Sequence, residues 1–434
     1  MVLFGIFLAL VLLGLPVAFS FVVGGLFYQS LFTSVNPNLI ASTTYGGIDS
    51  FSLLAIPFFI FAGDIMLKGG VSKRLVDFAK LFFKDSVSAF GTICVVACAF
   101  FGAISGSAAA AVAAIGGLMV PEMIRNGYKR EYATAVASAS GYLGILIPPS
   151  VPIVLYCVTA NESIGKMFIS GVVPGLLATV AFVILNKLVV KKWLNTPEEA
   201  AREGIEAVQE NTRTPVQTVI SVIPGLIMPF IILGGTYSGI FTPTEAAAVA
   251  IVYGAVVSIF IYRELKFSDL PGIAVGSAMT AGKILVIVAF ASYFGKLLTL
   301  LQIPGQISRA ILGVSDNKWI VLMLIVVLLL IMGMLMDMSV SIILMVPIML
   351  PIATSLGFES THFGMIVIFC LAIGLITPPM ALNLFVGCQI ADCPMSRVIR
   401  PIMPFVLTSV VVLLLIIFVP GISTCLPAVL GYQS

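Results

Sequence analysis

Long apolar segments separated by short polar ones make up most of the chain, and four of these segments are interrupted near their middle. Uncharged apolar runs of about 18–20 residues are long enough to cross the core of a bilayer as helices. We therefore predict membrane spans over these approximate ranges: 2–27, 50–67, 167–190, 217–235, 239–262, 276–301 and 401–420. Residues 68–84 carry apolar side chains at helical spacing between five bases, which predicts an interfacial amphipathic helix. Residues 302–317 form a second amphipathic link.

Two of the interrupted segments are too long for one span and carry small polar residues at the break. Residues 86–124 are broken by Ser105-Gly106-Ser107, and residues 318–352 are broken near Met336-Asp337-Met338-Ser339. A helical hairpin that enters and leaves the membrane on one side fits each segment better than a straight crossing. We therefore predict two re-entrant helical hairpins.

The other two interrupted segments are broken by paired prolines. Pro148-Pro149 lies within residues 132–158, and Pro378-Pro379 lies within residues 363–390. Because proline has no N–H group and clashes with the preceding helical turn, each pair predicts a transmembrane helix that is divided into two halves.

An offset of 230 residues relates the first pair of interrupted segments to the second. It carries Ser107 onto Asp337, Pro121 onto Pro351, Gly127 onto Gly357, Gly144 onto Gly374 and Pro148-Pro149 onto Pro378-Pro379. An internal duplication of interrupted hydrophobic segments indicates where a transporter binds its substrate. We predict a first repeat at 1–216 that ends in the polar loop 191–216, a connecting span at 217–235 and a second repeat at 236–434.

The positions of Lys and Arg predict the orientation in the membrane. We place the N-terminus in the cytoplasm, let each span cross the membrane and let each hairpin return to the side from which it entered. With this arrangement, 17 of the 22 Lys and Arg residues are cytoplasmic. The exceptions are Lys166, Arg309 and Lys318 outside, and Lys283 and Lys296 within a span. Because cytoplasmic loops are rich in Lys and Arg, this excess supports the two hairpins. The connecting span then turns the second repeat over, so the repeats are inverted.

Composition places the chain among membrane proteins and excludes several functions. Apolar residues make up 60% of the chain and charged residues 9%, with a mean hydropathy of +1.17. That is too little charge to cover a soluble fold of this length. The net charge of +3 is small and dispersed, so nothing favours nucleic-acid binding. The chain has no G-x4-G-K-[ST] run, so we do not expect ATP to drive it.

Few residues suit metal or acid–base chemistry. The seven cysteines show no metal-ligand spacing, and Cys94 and Cys98 are interpreted as small apolar residues. The single histidine, His362, falls on a predicted loop, where we expect it to be solvated. The apolar N-terminal segment lacks a basic leader, so we interpret it as a retained first helix.

The interruptions place oxygen atoms and helix ends inside the membrane. Paired prolines leave carbonyl groups one turn earlier without donors, and with Ser or Thr hydroxyls these groups suit a sodium ion. The half-helices that begin after Pro149 and Pro379 direct their positive dipole ends at the same region, which suits a carboxylate. A charge at mid-membrane costs roughly 2.5–3.5 kcal/mol, so Asp337 is expected to face polar partners or an ion. Asn383 is a candidate substrate donor.

Simpler structural interpretations remain open for these features. The paired prolines can act as kinks alone, and Ser105 and Ser107 can act as small residues at close helix contacts. Asp64 suits a helix end as well as a site. Lys283 and Lys296 either snorkel to the interface or meet a partner subunit.

Three classes of function are separated by what the sequence contains. A secondary active importer of an organic acid, coupled to sodium, fits the paired interruptions. A channel or pore component without ion coupling would show a continuous polar stripe along its spans, which we do not find. An intramembrane enzyme would need a nucleophile with a matched base, whereas the chain offers a lone Asp337 and a single His362. We therefore expect no enzymatic activity.

Several motifs carry a resemblance that covers essentially the whole chain. They are Ala55-Ile56-Pro57-Phe58-Phe59 with Gly63, Gly102 to Ser107, Gly141 to Tyr156, Gly239 to Ala248, and Thr377-Pro378-Pro379 with Asn383-Leu384-Phe385-Val386. Together they resemble the large membrane subunit of tripartite ATP-independent periplasmic (TRAP) transporters, which include C4-dicarboxylate and sialic acid systems. Ala381 departs from the family pattern, which leads us to expect glycine there, and predicts a stiffer start of the second half-helix.

The resemblance implies the fold and the partners. The fold is an all-α integral membrane protein, an inverted-repeat, elevator-type transporter with two re-entrant helical hairpins and two proline-broken transmembrane helices. The resemblance implies coupling to two or more sodium ions, a small four-helix membrane subunit, a periplasmic substrate-binding protein and an organic acid of the sialic acid or C4-dicarboxylate class. It places the protein in the bacterial inner membrane, where the charge pattern predicts a cytoplasmic N-terminus and a periplasmic C-terminus.

The resemblance also implies site residues, position by position. The first sodium site draws on Ser105, Gly106, Ser107, Gly144, Ile147 and Pro148. The second sodium site draws on Met336, Asp337, Ser339, Gly374 and Thr377. The candidate substrate-binding residues are Ser105, Ser107, Pro149, Ser150, Asp337, Ser339, Pro379 and Asn383.

Overall fold

The computed structural model describes residues 2–33, 36, 38–83, 86–195, 214–313 and 317–432. Within these ranges, nine helices are long and apolar enough to cross a membrane, and the bent pair Arg130–Leu146 and Val151–Ala160 would make a tenth. The described part of the chain is therefore a helical, multi-pass membrane protein.

The N-terminal part forms five helices: α1 (Val2–Leu12), α2 (Val17–Phe32), α3 (Leu39–Ile48), α4 (Ala55–Lys68) and α5 (Val71–Phe82). The single span expected at 2–27 is wrong. Gly14 adopts a left-handed φ of +89° and Pro16 directly precedes α2, so the chain turns back between the two helices. Phe7 of α1 stacks on Phe21 of α2 with ring centroids 4.8 Å apart. A cytoplasmic N-terminus therefore no longer follows from the charge argument.

The amphipathic segment expected at 68–84 forms α5. Neighbouring parts of the protein bury more of this helix than is expected for a helix at the membrane surface. Arg74 is only 7% exposed. Its guanidinium carbon lies 3.8 Å from the centroid of the Tyr262 ring, and one nitrogen lies 3.3 Å from Glu264. Near the other end of α5, Lys80 pairs with Glu122 at 2.8 Å. These contacts fix both ends of α5 against neighbouring helices.

The first interrupted region comprises seven helices and a π-helical turn: α6 (Ala89–Ser105), α7 (Ala108–Ala111), the turn Val112–Gly116, α8 (Gly117–Arg125), α9 (Arg130–Gly141), α10 (Leu143–Leu146), α11 (Val151–Ala160) and α12 (Ile164–Val189). The breaks predicted at Ser105–Ser107 and at Pro148-Pro149 are confirmed. Because α8 packs against α6, the chain folds back on itself at the first break.

The middle of the chain forms four helices: α13 (Pro215–Tyr237), α14 (Pro243–Val256), α15 (Leu270–Leu300) and α16 (Ile303–Leu312). Helix α13 contains the span predicted at 217–235, whereas α14 and α15 overlap the spans predicted at 239–262 and 276–301 with different ends. Thr242 and Glu245 start α14 with reciprocal hydrogen bonds, since the Thr242 hydroxyl accepts from the Glu245 N–H and the Glu245 carboxylate accepts from the Thr242 N–H. Of the loop predicted at 191–216, residues 196–213 lie outside the described residues.

The second interrupted region comprises six helices: α17 (Lys318–Leu335), α18 (Met338–Ser355), α19 (Ser360–Gly374), α20 (Leu382–Ala391), α21 (Met395–Phe418) and α22 (Gly421–Val429). Its two breaks also lie where the sequence predicted them. The expectation that His362 is solvated on a loop is wrong. His362 lies in α19, is 2% exposed, and places Nδ1 2.8 Å from the hydroxyl of Ser423 in α22.

A helix from each interrupted region packs against the hairpin of the other region. Helix α11 packs against α18, while α20 packs against α7, α8 and α9. Under the 230-residue offset α11 corresponds to α20, and α18 corresponds to α7 with α8. The contact between α11 and α18 is thus the counterpart of the contact between α20 and the pair α7–α8. Helices α6–α12 and α17–α22 pack mainly with one another, as do α1–α4 with α13–α15. The two groups meet where α4 contacts α6 and where α15 and α16 contact α18.

Candidate binding site at the two hairpin tips and helix breaks

The first hairpin tip is Ser105-Gly106-Ser107, and its backbone requires a glycine in the centre. Gly106 has a left-handed φ of +62°, which ends α6 and lets its N–H donate to the Gly102 carbonyl at 2.8 Å. The Ser107 hydroxyl then accepts the Ala110 N–H at 3.4 Å and caps α7. Ser105 is 4% exposed, so this tip is sealed inside the protein.

The first helix break touches that tip directly. A Cβ atom on Gly102 would overlap the Cα of Gly144, so α6 and α10 cross with their backbones in contact. The Gly106 carbonyl accepts the Val151 N–H at 3.3 Å, and a Cβ on Gly106 would lie 2.8 Å from the Pro149 carbonyl oxygen. The predicted first-site residues in the tip and in the break are therefore brought together.

Three oxygen atoms at the first break have no hydrogen-bond partner among the described residues. The paired prolines cannot donate to the carbonyls of Gly144 and Ile145, and no other described donor does. The hydroxyl of Ser150 is fully buried and also unpartnered. Ile147 contributes backbone only, because its side chain packs against Gly175 of α12. Since buried polar groups are nearly always paired, these oxygens indicate a place for a ligand.

The second hairpin tip also ends one helix and caps the next, but Met336 is extended, with a φ of −132°, where the first tip has the left-handed Gly106. Asp337 starts α18, where its Oδ1 accepts the Ser339 N–H at 2.8 Å. It is therefore a helix cap, as Ser107 is at the corresponding position. Asp337 is exposed, whereas Met336 is buried. The charged carboxylate of the second tip thus remains accessible while it caps the helix.

The second helix break also meets its tip through glycine. A Cβ atom on Gly374 would overlap the carbonyl group of Gly333, and the Met380 N–H donates to the Met334 carbonyl at 3.2 Å. The predicted residues Gly374 and Thr377 therefore lie beside the chain that leads into the second tip. Pro379, a predicted substrate-binding residue, lies in this break and is exposed.

Hydrogen bonds at the second break occupy carbonyls that its prolines leave free. The Gly374 carbonyl accepts the Thr377 N–H at 3.2 Å, and the Leu375 carbonyl accepts the Asn383 N–H at 3.0 Å. The Thr377 hydroxyl donates to the Ile373 carbonyl at 2.8 Å. Fewer backbone oxygens are thus available to a ligand here than at the first break.

Asn383 joins the second break to the first broken helix. Its side-chain nitrogen donates to the Ser138 carbonyl of α9 at 3.3 Å, so one of the two N–H groups of this predicted substrate donor is already engaged. The Asn383 Oδ1 and the Ser138 hydroxyl are fully buried without a partner among the described residues. Sequence reasoning missed Ser138, because only the crossing of α9 and α20 brings it to Asn383.

The arrangement offers oxygen ligands on both sides and a negative charge on one. Carbonyl and hydroxyl oxygens, with a carboxylate at the second tip, suit a hard cation. The breaks also lie at the starts of α11 and α20, and helix starts suit an anion, although the N–H groups of Val151 and Asn383 already donate to the Gly106 and Leu375 carbonyls. The tips and breaks therefore offer oxygen ligands for cations and helix ends for an anion.

The chain matches one protein family over residues 4–422, described as "Tripartite ATP-independent periplasmic transporter, DctM component". It is 36% identical over 403 residues to the C4-dicarboxylate TRAP transporter large permease protein DctM of Pseudomonas aeruginosa, covering 92% of each chain. It is 33% identical to the sialic acid TRAP transporter large permease protein SiaM of Vibrio cholerae, covering 98% of each chain.

A fused relative and a solved structure extend the comparison. The chain is 37% identical over 423 residues to the isethionate TRAP transporter permease protein DctMQ of Oleidesulfovibrio alaskensis. The matched region includes 97% of this chain but 65% of that protein. The structure resembles the YdaH transporter of Alcanivorax borkumensis, with a TM-score of 0.61, 16% identity, and 91% and 88% of the two chains covered. This second likeness concerns the fold alone.

Proposed function

The chain belongs to the family of DctM components of tripartite ATP-independent periplasmic transporters, and on that basis we propose that it is a secondary active importer that couples uptake of an organic acid to sodium. The observation that carries the proposal is the repeated contact between a hairpin tip and a helix break, with Gly102 on Gly144 and Gly333 on Gly374. Unwound carbonyls and half-helix ends are the parts from which transporters build ion and substrate sites.

Two sodium sites follow from the two contacts. The first would use oxygens from Ser105, Gly106, Ser107, Gly144, Ile147 and Pro148, where unpartnered oxygens occur. The second would use Met336, Asp337, Ser339, Gly374 and Thr377, where Asp337 supplies a formal charge. Each set lies on a tip and on the break that contacts it.

An anionic substrate is supported by the helix starts and by the chemistry of the relatives. The named substrates of the relatives are C4-dicarboxylates, sialic acid and isethionate, all of which are anions. Ser105, Ser107, Pro149, Ser150, Asp337, Ser339, Pro379 and Asn383 are the proposed binding residues. Asp337 repels an anion when no cation is bound. Sodium at the second site removes that repulsion, which couples sodium binding to substrate binding.

We further propose that the two repeats are inverted and that both hairpins are re-entrant. The exchange of partners between α11–α18 and α20–α7/α8 supports a pseudo-twofold relation. Helices α6–α12 and α17–α22 contact one another more than they contact the remaining helices, which supports an elevator motion of that group. On this view α5, which precedes the first hairpin and is held at both ends, links the moving and fixed groups.

The family membership supports the partners and the location. We propose that a small four-helix membrane subunit and a periplasmic substrate-binding protein complete the transporter. The fused DctMQ relative, of which this chain covers 65%, supports the presence of a second membrane component. The proposed location is the bacterial inner membrane, with the basic loops in the cytoplasm.

Uptake into proteoliposomes tests the proposal. The chain and its cognate small subunit are reconstituted together, and the cognate binding protein is supplied with the ligand that mass spectrometry identifies in it. An inward sodium gradient should drive accumulation, whereas an inward potassium gradient should not. Accumulation that is equal in both gradients would refute sodium coupling. Single-channel currents across a planar bilayer would instead support the pore interpretation.

A further inference from the structure

One face of the long helix α15 is left uncovered by the rest of the chain. At 100° per residue, Gly272, Val275, Gly276, Met279, Lys283 and Val286 fall within a stripe about 100° wide, which we name the open face. Val275 is 61% exposed, Met279 62% and Val286 43%. The opposite side of the same turns is buried against α4, where the Ser277 hydroxyl donates to the Asp64 carboxylate.

Lys283 puts a positive charge on the open face, near the middle of the length of α15. It lies 13 residues, about 20 Å, from the start of α15 and 17 residues, about 26 Å, from its end. The side chain is exposed and forms no ion pair or hydrogen bond with any described residue. Ionisable residues within membrane segments usually pair with an opposite charge or face a polar cavity, so we look for a partner of Lys283 outside the described residues.

Lys296 provides a natural comparison on the same helix. It is four residues, about 6 Å, from the end of α15. A lysine so close to a helix end can extend its side chain to the membrane surface. Lys296 also lies well outside the stripe that defines the open face. The need for an external partner is therefore specific to Lys283.

The backbone of the open face is accessible as well as the charge. A Cβ atom added to Gly272 or Gly276 would meet no atom within 4 Å. Two glycines four residues apart on an uncovered face allow a second helix to approach closely in a membrane. The pattern thus combines a close-packing surface with an unpaired cation about two to three turns further along the same stripe.

We propose that the open face of α15 is the docking surface for a transmembrane helix of the small membrane subunit, and that this helix carries an Asp or Glu at the depth of Lys283. The inference rests on the partner in the proposed function and adds the surface and its charge. Charge complementarity selects this occupant over lipid, because a carboxylate within a membrane helix also requires a partner. The glycines then let that helix approach closely.

Co-purification tests the docking surface without requiring the transported substrate. The chain is co-expressed with its cognate small subunit carrying an affinity tag, and the amount of chain retained after detergent extraction is measured. Lys283→Met should lower retention at least tenfold, whereas the matched variant Lys296→Met should retain the chain as the wild type does. Gly276→Leu should also lower retention, whereas Gly234→Leu, at an open glycine of α13, should not.

Charge reversal tests the pairing itself. Lys283→Glu should abolish retention, and replacing the membrane carboxylate of the small subunit with Lys should restore it. Wild-type retention by a monodisperse Lys283→Met protein would overturn the inference and leave the proposed function standing. Failure of the wild-type chain to bind the small subunit would overturn the partner as well. Cross-links from Met279→Cys to a second copy of this chain, instead of to the small subunit, would overturn the assigned occupant.

Discussion

The two tip-and-break regions share an order of helices and a close glycine crossing, and they differ in tip backbone, exposure and charge. In the first, Ser105 is 4% exposed and Gly63 of α4 packs against it so closely that a Cβ atom added to Gly63 would lie 2.9 Å from the Ser105 Cα. In the second, Asp337 is exposed and Met380 is 58% exposed. The first region is closed and neutral, whereas the second is open and carries a carboxylate.

The two regions differ in the side chains at their tips and in the hydrogen bonds made by the backbone carbonyls at their breaks. Ser107 and Asp337 occupy corresponding positions and both cap a helix, so the duplication has kept the structural role while changing the charge. The first break leaves the Gly144 carbonyl unpaired, whereas the second pairs the Gly374 carbonyl with the Thr377 N–H. The first region can thus accept an ion without breaking hydrogen bonds, and the second attracts one by charge.

The largest expected effect comes from filling the glycine crossings on which both regions depend. Gly102→Ala and Gly374→Ala each force a methyl group into backbone atoms. Such overpacking typically costs about 1–3 kcal/mol, so both variants should unfold at clearly lower temperature. Gly234→Ala, where no atom lies within 4 Å, should instead be neutral or slightly stabilising. If only one of the two variants, Gly102→Ala or Gly374→Ala, lost stability, the two regions would not share the close glycine crossing.

A smaller effect is expected at Ser150, where a substitution should raise stability but lower transport. Its buried hydroxyl has no partner among the described residues, and an unsatisfied buried group costs about 1–3 kcal/mol. In potassium buffer, Ser150→Ala should therefore raise the free energy of unfolding by about 1 kcal/mol, while uptake in proteoliposomes falls. The corresponding Met380→Ala, at an exposed position, should change neither. A Ser150→Ala protein that unfolds more easily in potassium would argue against an unused ligand oxygen.

The smallest effect should come from Ala381, which marks a further difference between the breaks. Ala381 has a left-handed φ of +41° and is 1% exposed. Such a conformation costs a non-glycine residue roughly 1–2 kcal/mol. After the entropy cost of glycine, Ala381→Gly should raise stability by about 0.5–1 kcal/mol in thermal unfolding. Val151→Gly, at the corresponding start of α11, should lower the stability. If both glycine variants changed the stability in the same direction, the proposed difference between the two breaks would be contradicted.

The breaks could be predicted from the sequence because the residues that cause them are local. Ser105-Gly106-Ser107 and the paired prolines stop a helix wherever they stand, and the 230-residue offset showed that both regions contain them. The strained Ala381 was likewise visible as a departure from an expected glycine. Helix α5 could be predicted in position, although its ion pairs to Glu264 and Glu122 depend on distant segments.

The features that escaped prediction depend on contacts between distant elements. The turn at Gly14 was hidden because hydropathy averaged over about 19 residues passes over a single glycine. His362 is buried by α22, a short helix that no span pattern indicated. The pairing of Asn383 with Ser138 depends on a helix crossing that joins residues 245 positions apart. The exposure of Asp337 and the burial of Ser105 also arise from tertiary packing alone.

The unequal charge of the two tips is tested most directly by sodium titration of thermal stability. Wild type, Asp337→Asn and Ser107→Ala are each titrated with sodium at constant ionic strength, with potassium as the balancing ion. Asp337→Asn keeps a capping side chain but loses the charge. It should need at least tenfold more sodium for half-maximal stabilisation, equivalent to about 1.4 kcal/mol, whereas Ser107→Ala should shift the midpoint less. Equal midpoints in the two variants would contradict an ion-binding role for Asp337.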